Sequence, residues 1–202
     1  MNNKIANIVV DYIKDLPWID KLSAMTQVVK VSQKSGDTTV EKRYPISCQM
    51  SFAEACKEGC YDELAPNSAY RSIVYFEDGG FSFNRQEGNK LYYISNIRLI
   101  AWLNYSKIGG TLGVGCGATG NYIVDIIKSL PAMPVNVDDL LSVSIRVISQ
   151  AVRSDSIFGA YTYNQKQTQY LMIPFDFFSL NIQTSFYLIP ECLTPVDGCL
   201  EC

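Results

Sequence analysis

The chain has 202 residues, of which 48% are hydrophobic, enough for a single domain with a substantial apolar core. Its formal net charge of −3 gives no general attraction for nucleic acid, and the absence of histidine excludes imidazole ligands and histidine-based catalysis within one subunit. The sequence contains no apolar run of the ~18 residues needed to span a bilayer and no apolar leader, so we expect a protein kept in a cytoplasm or packaged in a particle assembled there.

Apolar residues recur at helical spacing over residues 5–16, which predicts an amphipathic N-terminal helix that Pro17 ends. Two strand-like segments flank the turn cluster at residues 34–37 and predict a β-hairpin. Residues 51–54 match a capping box, with a hydroxyl at the N-cap and a carboxylate three residues later. They predict a short helix that stops at Gly59.

The middle of the chain predicts a β-meander over residues 71–105. We expect turns at residues 78–80 and 88–89, a short strand between them, and a long strand over residues 91–105 with one apolar face and one partly covered face. A helix is predicted over residues 121–130. The acid pair Asp138-Asp139 fits the N-terminus of a helix, and a further strand follows at residues 141–147.

The end of the chain carries the clearest strand signal. Residues 178–188 alternate between apolar side chains and polar ones, which predicts a long strand with one dry face and one polar face. Strands outnumber helices, so we predict an α+β fold with a mainly antiparallel sheet flanked by an N-terminal helix and a mid-chain helix. We expect residues 1–189 to form one domain with a glycine-rich insertion near 106–120, and residues 190–202 to form an irregular cysteine-containing tail.

One glycine motif has the form of a dinucleotide site. Gly115, Gly117 and Gly120 match G-x-G-x-x-G before a helix, and Asp138 lies about twenty residues further on, where an acid would take the ribose hydroxyls. The preceding stretch is too glycine-rich for a central parallel strand, and the later strands alternate. We therefore favour an ordinary glycine-rich loop and keep a nucleotide-binding enzyme as an alternative.

The cysteines allow a second alternative. Cys192, Cys199 and Cys202 lie close together near the C-terminus, and the last two form C-x-x-C, a spacing that can hold zinc. A structural zinc site needs a fourth ligand, and seven cysteines in a reducing compartment are free thiols by default. We favour free thiols, expect no metal and no cofactor, and keep a small zinc-stabilised interaction module as the alternative.

The order of elements resembles a known family. An amphipathic helix ends in Leu16-Pro17-Trp18-Ile19, a hairpin closes on Arg43-Tyr44-Pro45-Ile46, a helix follows the long sheet strands, and a turn over residues 170–176 opens onto the alternating strand. This order is similar to that of the tail-terminator and tail-completion proteins of tailed bacteriophages. These include neck or ring proteins of crAss-like phages of Bacteroides-type hosts.

The resemblance implies a structural virion protein without enzymatic activity. It implies a homo-oligomeric ring of six or twelve copies at the neck or tail junction, assembled in the host cytoplasm, with portal or connector proteins and tail proteins as neighbours. It further implies that DNA passes through the lumen without sequence-specific contact and that the protein has no membrane partner.

Three aromatic residues beside the closing strand are candidates for a subunit contact. Tyr170, Phe175 and Phe177 would pack at a sheet edge or against a neighbouring copy, and ordinary packing inside one chain is an equally good interpretation. The charges also differ between the ends of the chain. Residues 1–49 hold seven basic and five acidic residues, and residues 154–202 hold one basic and five acidic, which is compatible with head-to-tail contacts or with scattered surface charge.

Overall fold

A computed structural model describes residues 1–35, 38–47, 63–108, 118–163 and 168–188 of the chain. Within these ranges the helices are α1 (Asn2–Ile13), α2 (Tyr105–Ile108) and α3 (Thr119–Ser129). The strands are β1 (Lys21–Ser35), β2 (Thr38–Ser47), β3 (Ser72–Glu87), β4 (Lys90–Asn104), β5 (Val135–Val137), β6 (Leu140–Val152) and β7 (Phe175–Leu188). The helix predicted at 51–59, most of the glycine-rich insertion and the C-terminal tail lie outside the described residues.

The strands form one sheet in the order β2-β1-β3-β4-β7-β6-β5. Strand β1 pairs in parallel with β3, and the other neighbouring pairs are antiparallel. The predicted α+β class with a mainly antiparallel sheet is therefore confirmed, and so are the N-terminal helix, the first hairpin and the mid-chain helix. The parallel β1–β3 pair was not predicted, because it joins segments about fifty residues apart.

The main core lies between one face of the sheet and the two longer helices. Helix α1 buries one stripe that includes Ile5, Val9 and Ile13, as its periodicity predicts, and α3 contributes Tyr122 and Ile126. The sheet side of this core includes the dry face of β7, whose six inward residues are all buried: Phe178, Leu180, Ile182, Thr184, Phe186 and Leu188. We call this side of the sheet the helix face.

A second, smaller core covers part of the opposite face. Trp102 of β4 is 1% exposed and packs among aromatic residues from the segment between β6 and β7. Its ring stacks on Phe175 with centroids 5.3 Å apart, and its indole Nε1 donates a hydrogen bond of 2.7 Å to the carbonyl oxygen of Tyr170. This layer explains why β4 carries apolar residues on both faces.

Two local predictions are wrong. Residues 78–80 do not form a turn: β3 runs through them to Glu87, and its register with β4 shifts between Asp78 and Phe81, so the glycines form a β-bulge. Asp138 and Asp139 do not start a helix. They form the turn between β5 and β6, where Asp138 has a φ of 51° and lies 3.2 Å from Nζ of Lys4. Aspartate tolerates this left-handed backbone conformation, and Lys4 offsets the two negative charges.

Candidate functional site

The outer half of β3 is an open sheet edge. Strand β1 pairs with β3 only at residues 73–76, and from Thr26 onward it pairs with β2 instead. Residues 81–87 of β3 then pair with β4 on one side, and no described residue pairs with their other side. Every residue from Asp78 to Lys90 is exposed. An edge with unsatisfied backbone groups is able to pair with another strand.

The bulge at the base of this segment is held by α1. The side chain of Asn2, 7% exposed, donates a hydrogen bond to Oδ1 of Asp78 and accepts one of 2.7 Å from Oγ of Ser95. Oδ1 of Asp78 also accepts a 2.7 Å hydrogen bond from the backbone nitrogen of Gly80, whose φ is 92°. A Cβ at Gly79 would lie 2.8 Å from the carbonyl oxygen of the facing β4 strand, so the bulge requires glycine there.

Two exposed phenylalanines project from the open edge strand on the helix face. Phe81 is 46% exposed and Phe83 is 54% exposed, and both rings contact Tyr93 of β4 at centroid distances of 4.9 Å and 5.6 Å. Tyr93 in turn stacks on Phe186 of the main core at 6.1 Å. We call residues 78–95, the outer part of β3 with the strand it pairs with, the aromatic hairpin.

A groove lies near the opposite end of the sheet, between α3 and β6. Its volume is about 720 Å³. Strand β5 covers the outer edge of β6 only as far as Val143, so the edge from Ser144 onward has no strand partner among the described residues. Ile127 of α3 and Ile148 of β6 are 44% and 55% exposed beside it. The groove is lined mainly by apolar side chains, including Ile127, Leu130, Pro131, Ile145, Val147 and Ile148.

A buried carboxylate joins the start of β7 to α3. Asp176 is 2% exposed; its Oδ1 accepts hydrogen bonds from Nε of Arg153 at 2.7 Å and from the backbone nitrogen of Phe177 at 2.8 Å. Its Oδ2 accepts from the hydroxyls of Tyr105, at 3.1 Å, and Thr119. Burial alone would raise the pKa of Asp176, but the hydrogen bonds from Arg153, Thr119 and the backbone outweigh it and lower the pKa. Asp176 is therefore an ionised carboxylate with four hydrogen-bond donors, and these hydrogen bonds connect β7 to α2, α3 and the segment after β6.

The second core contains buried phenols beside a cavity of about 510 Å³. The hydroxyl of Tyr161 donates to the carboxylate of Glu77, which lies 3.6 Å from a guanidinium nitrogen of Arg98. Burial raises the pKa of Tyr75, Tyr161 and Tyr163 above the usual value. These phenols therefore stay protonated at neutral pH and do not act as bases there.

Only two of the four residues of the dinucleotide alternative lie within the described residues. Gly120 is an exposed residue in the first turn of α3, Asp138 lies in the β5–β6 turn, and Gly115 and Gly117 lie outside the described residues. A dinucleotide site of this kind joins two parallel neighbouring strands through the helix. Among the described strands, those before and after α3 are β4, whose neighbours are β3 and β7, and the edge strand β5. The described topology adds no support to that alternative.

The remaining predicted site residues are the three cysteines of the zinc alternative and the three aromatic candidates for a subunit contact. Cys192, Cys199 and Cys202 lie outside the described residues, and within the described ranges no group of three potential metal ligands occurs. Tyr170, Phe175 and Phe177 pack in the second core of their own chain. Phe177 is 7% exposed, whereas Tyr170 and Phe175 are half-buried, so a subunit contact through these two stays a prediction.

The aromatic hairpin and the groove were not among the residues predicted from sequence. The sequence signal that could have identified the hairpin is the Phe-x-Phe pair directly after Asp78-Gly79-Gly80. A glycine cluster of this kind, followed by alternating apolar and polar residues, is typical of a bulged edge strand as well as of a turn. No sequence signal identifies the groove, because it forms where α3 and β6 approach each other in space.

No protein-family model matches the chain, and no curated protein matches it. Among the described residues, no helix is both long enough and apolar enough to cross a membrane.

Proposed function

We propose that the protein is a structural subunit of a ring at the neck or tail junction of a tailed phage, in a connector or tail-terminator role and without enzymatic activity. The observation that carries this proposal is the pair of unlike open surfaces on one sheet, the aromatic hairpin and the groove beside β6. A closed ring requires heterologous contacts, in which one patch of a subunit meets a different patch of the next. A chain that offers two different open surfaces has the parts that such a contact needs.

The polar face of the sheet fits the lumen of the ring. Asn181, Gln183 and Ser185 of β7 point away from the helix face and keep part of their surface exposed. These three side chains are neutral, whereas Arg98 and Arg146 lie opposite Asn181 and Gln183 on the same face, and Arg98 is 3.6 Å from the carboxylate of Glu77. A chain with a net charge of −3 offers few further cations to replace the counterions of DNA phosphates. DNA would therefore pass such a surface without strong electrostatic binding and without base-specific contacts. In this arrangement the helices α1 and α3 face the outside of the ring.

The test is assembly. Native mass spectrometry of the purified protein, alone and with portal or connector and tail proteins of the same phage, should show closed multimers or incorporation into a ring of six or twelve copies. Mass spectrometry of purified virions should detect the chain at a fixed low copy number. A protein that stays monomeric under all these conditions and is absent from virions would refute the proposal.

A further inference from the structure

We propose that the aromatic hairpin of one copy docks on the open edge of β6 in the next copy, with Phe81 and Phe83 filling the groove between β6 and α3. This inference rests on the proposed ring and names the surfaces that close it. The occupant of the groove is a second copy of this chain.

The first argument is strand direction. Strand β3 is antiparallel to β4, β4 to β7, and β7 to β6, so β3 and β6 run in opposite directions within one copy. In a ring, neighbouring copies are related by rotation about the ring axis. If the sheet of one copy continues into the sheet of the next, β3 of the neighbouring copy runs antiparallel to β6 of the first copy. This is the pairing that both strands already make on their other sides, and it would satisfy the backbone groups of both edges that have no partner among the described residues.

The second argument is the side of the sheet. Phe81 lies on the same cross-strand row as Ser95, Thr184 and Ile145, and residues directly opposite one another in a sheet share a face. Phe81 and the groove-lining Ile145 are therefore both on the helix face. When the sheet continues into the next copy, the two phenylalanines point to the side on which α3 forms the outer wall of the groove.

The third argument is register. Strand β5 covers β6 up to Val143, so the neighbouring hairpin must move along the strand to reach the uncovered part. A displacement by two residues sets Phe83 opposite Ile145 and Phe81 opposite Val147, about 7 Å from the unshifted row. Arg85 is then level with Val143, which β5 already covers, so the new pairing ends before Arg85, where the register of β3 with β4 also shifts. A displacement by an even number of residues keeps both phenylalanine rings on the helix face. In closed barrels the strands tilt relative to the barrel axis, and this tilt shifts the register between neighbouring strands in the same way.

The fourth argument is size and exposure. The groove of about 720 Å³ is open beside Ile127, and roughly half of each phenylalanine is exposed in one copy. Fully burying an aromatic side chain removes about 150–250 Å² from water, so the exposed halves of the two rings add on the order of 200 Å² of apolar contact. A strand pairing and the groove walls supply further area toward the roughly 800 Å² per partner of a stable contact.

The test separates the two surfaces. A Phe81→Ser/Phe83→Ser variant loses the hairpin contact, and an Ile127→Glu variant places a charge in the groove; all three residues are partly exposed, so folding should be retained. Met172→Ser, at a position 63% exposed and away from both surfaces, is the control. Native mass spectrometry and light scattering should show multimers for wild type and the control. For each docking variant, the concentration needed for assembly should rise about a hundredfold or more.

Mixing the two docking variants gives the sharpest result. The hairpin variant keeps its groove and the groove variant keeps its hairpin, so an equimolar mixture can form one contact but cannot propagate it. The expected product is a one-to-one heterodimer, and neither variant forms it alone. Wild-type rings with unchanged assembly of both variants would overturn the docking inference and leave the proposed ring standing. A monomeric wild type in every condition would overturn both.

Discussion

Replacing the buried carboxylate of Asp176 by an amide tests the account of how β7 is tied to the rest of the fold. In Asp176→Asn, one side-chain atom changes from an acceptor to a donor. If the amide oxygen keeps the Tyr105 and Thr119 hydroxyls, the NH2 group faces the donors of Arg153 and Phe177, and two hydrogen bonds are lost. Arg153 is 41% exposed, so water solvates its charge after the change, which places the cost near the low end for a broken buried ion pair.

The expected loss is about 3 kcal/mol in the free energy of unfolding, from one charge-assisted hydrogen bond and one backbone hydrogen bond. For a domain of this size that loss corresponds to a melting temperature lower by about 6–12 °C. Urea unfolding followed by circular dichroism at neutral pH measures it. The matched control is Asp155→Asn, an exposed aspartate in the turn after β6, which should stay within about 0.5 kcal/mol of wild type.

The same substitution has a pH signature. The pKa of Asp176 is lower in the folded chain than in the unfolded chain, so its stabilisation is fully present above about pH 4 and is lost as the pH falls further. The difference between wild type and Asp176→Asn should therefore shrink in acid. A variant within about 1 kcal/mol of wild type at pH 7, or a difference that grows below pH 4, would refute the assignment of an ionised, fully bonded carboxylate.

Two further substitutions test the bulge and the second core. Gly79→Ala should lower the free energy of unfolding in urea by about 1–3 kcal/mol, because its Cβ would lie 2.8 Å from a backbone oxygen of β4. The control Gly120→Ala, which has open space around it, should be neutral or slightly stabilising. Equal effects of the two substitutions would contradict the bulge geometry. Trp102→Phe removes the 2.7 Å hydrogen bond to the carbonyl oxygen of Tyr170 and leaves a small cavity, so a loss of about 2–3 kcal/mol is expected in the same assay, and an unchanged midpoint would count against this packing.

The regular elements could be predicted from the sequence because their signals are local. The period-two alternation after Phe178 fixes which face of β7 is buried, and the 3.6-residue spacing of Ile5, Val9 and Ile13 does the same for α1. The apolar residues on both faces of β4 correctly indicated a second layer. Each of these inferences needs only the residues of one element.

The errors and omissions concern contacts between distant segments. A turn and a bulge use the same residues. The sequence Asp78-Gly79-Gly80 alone therefore does not show that β3 continues through these residues as a bulge held by Asn2 of α1. The Asp176 cluster draws donors from positions 105, 119 and 153, which no spacing rule connects. The groove beside β6 likewise exists only once α3 has packed, so the candidate site depended on the tertiary structure.

Electron microscopy of the purified wild-type protein tests the central proposal most directly. Negatively stained particles, prepared alone and with the neighbouring neck and tail proteins, should show closed rings with a central hole and a fixed number of subunits. Isolated small particles without a hole in both preparations, at concentrations well above those in an infected cell, would contradict the account.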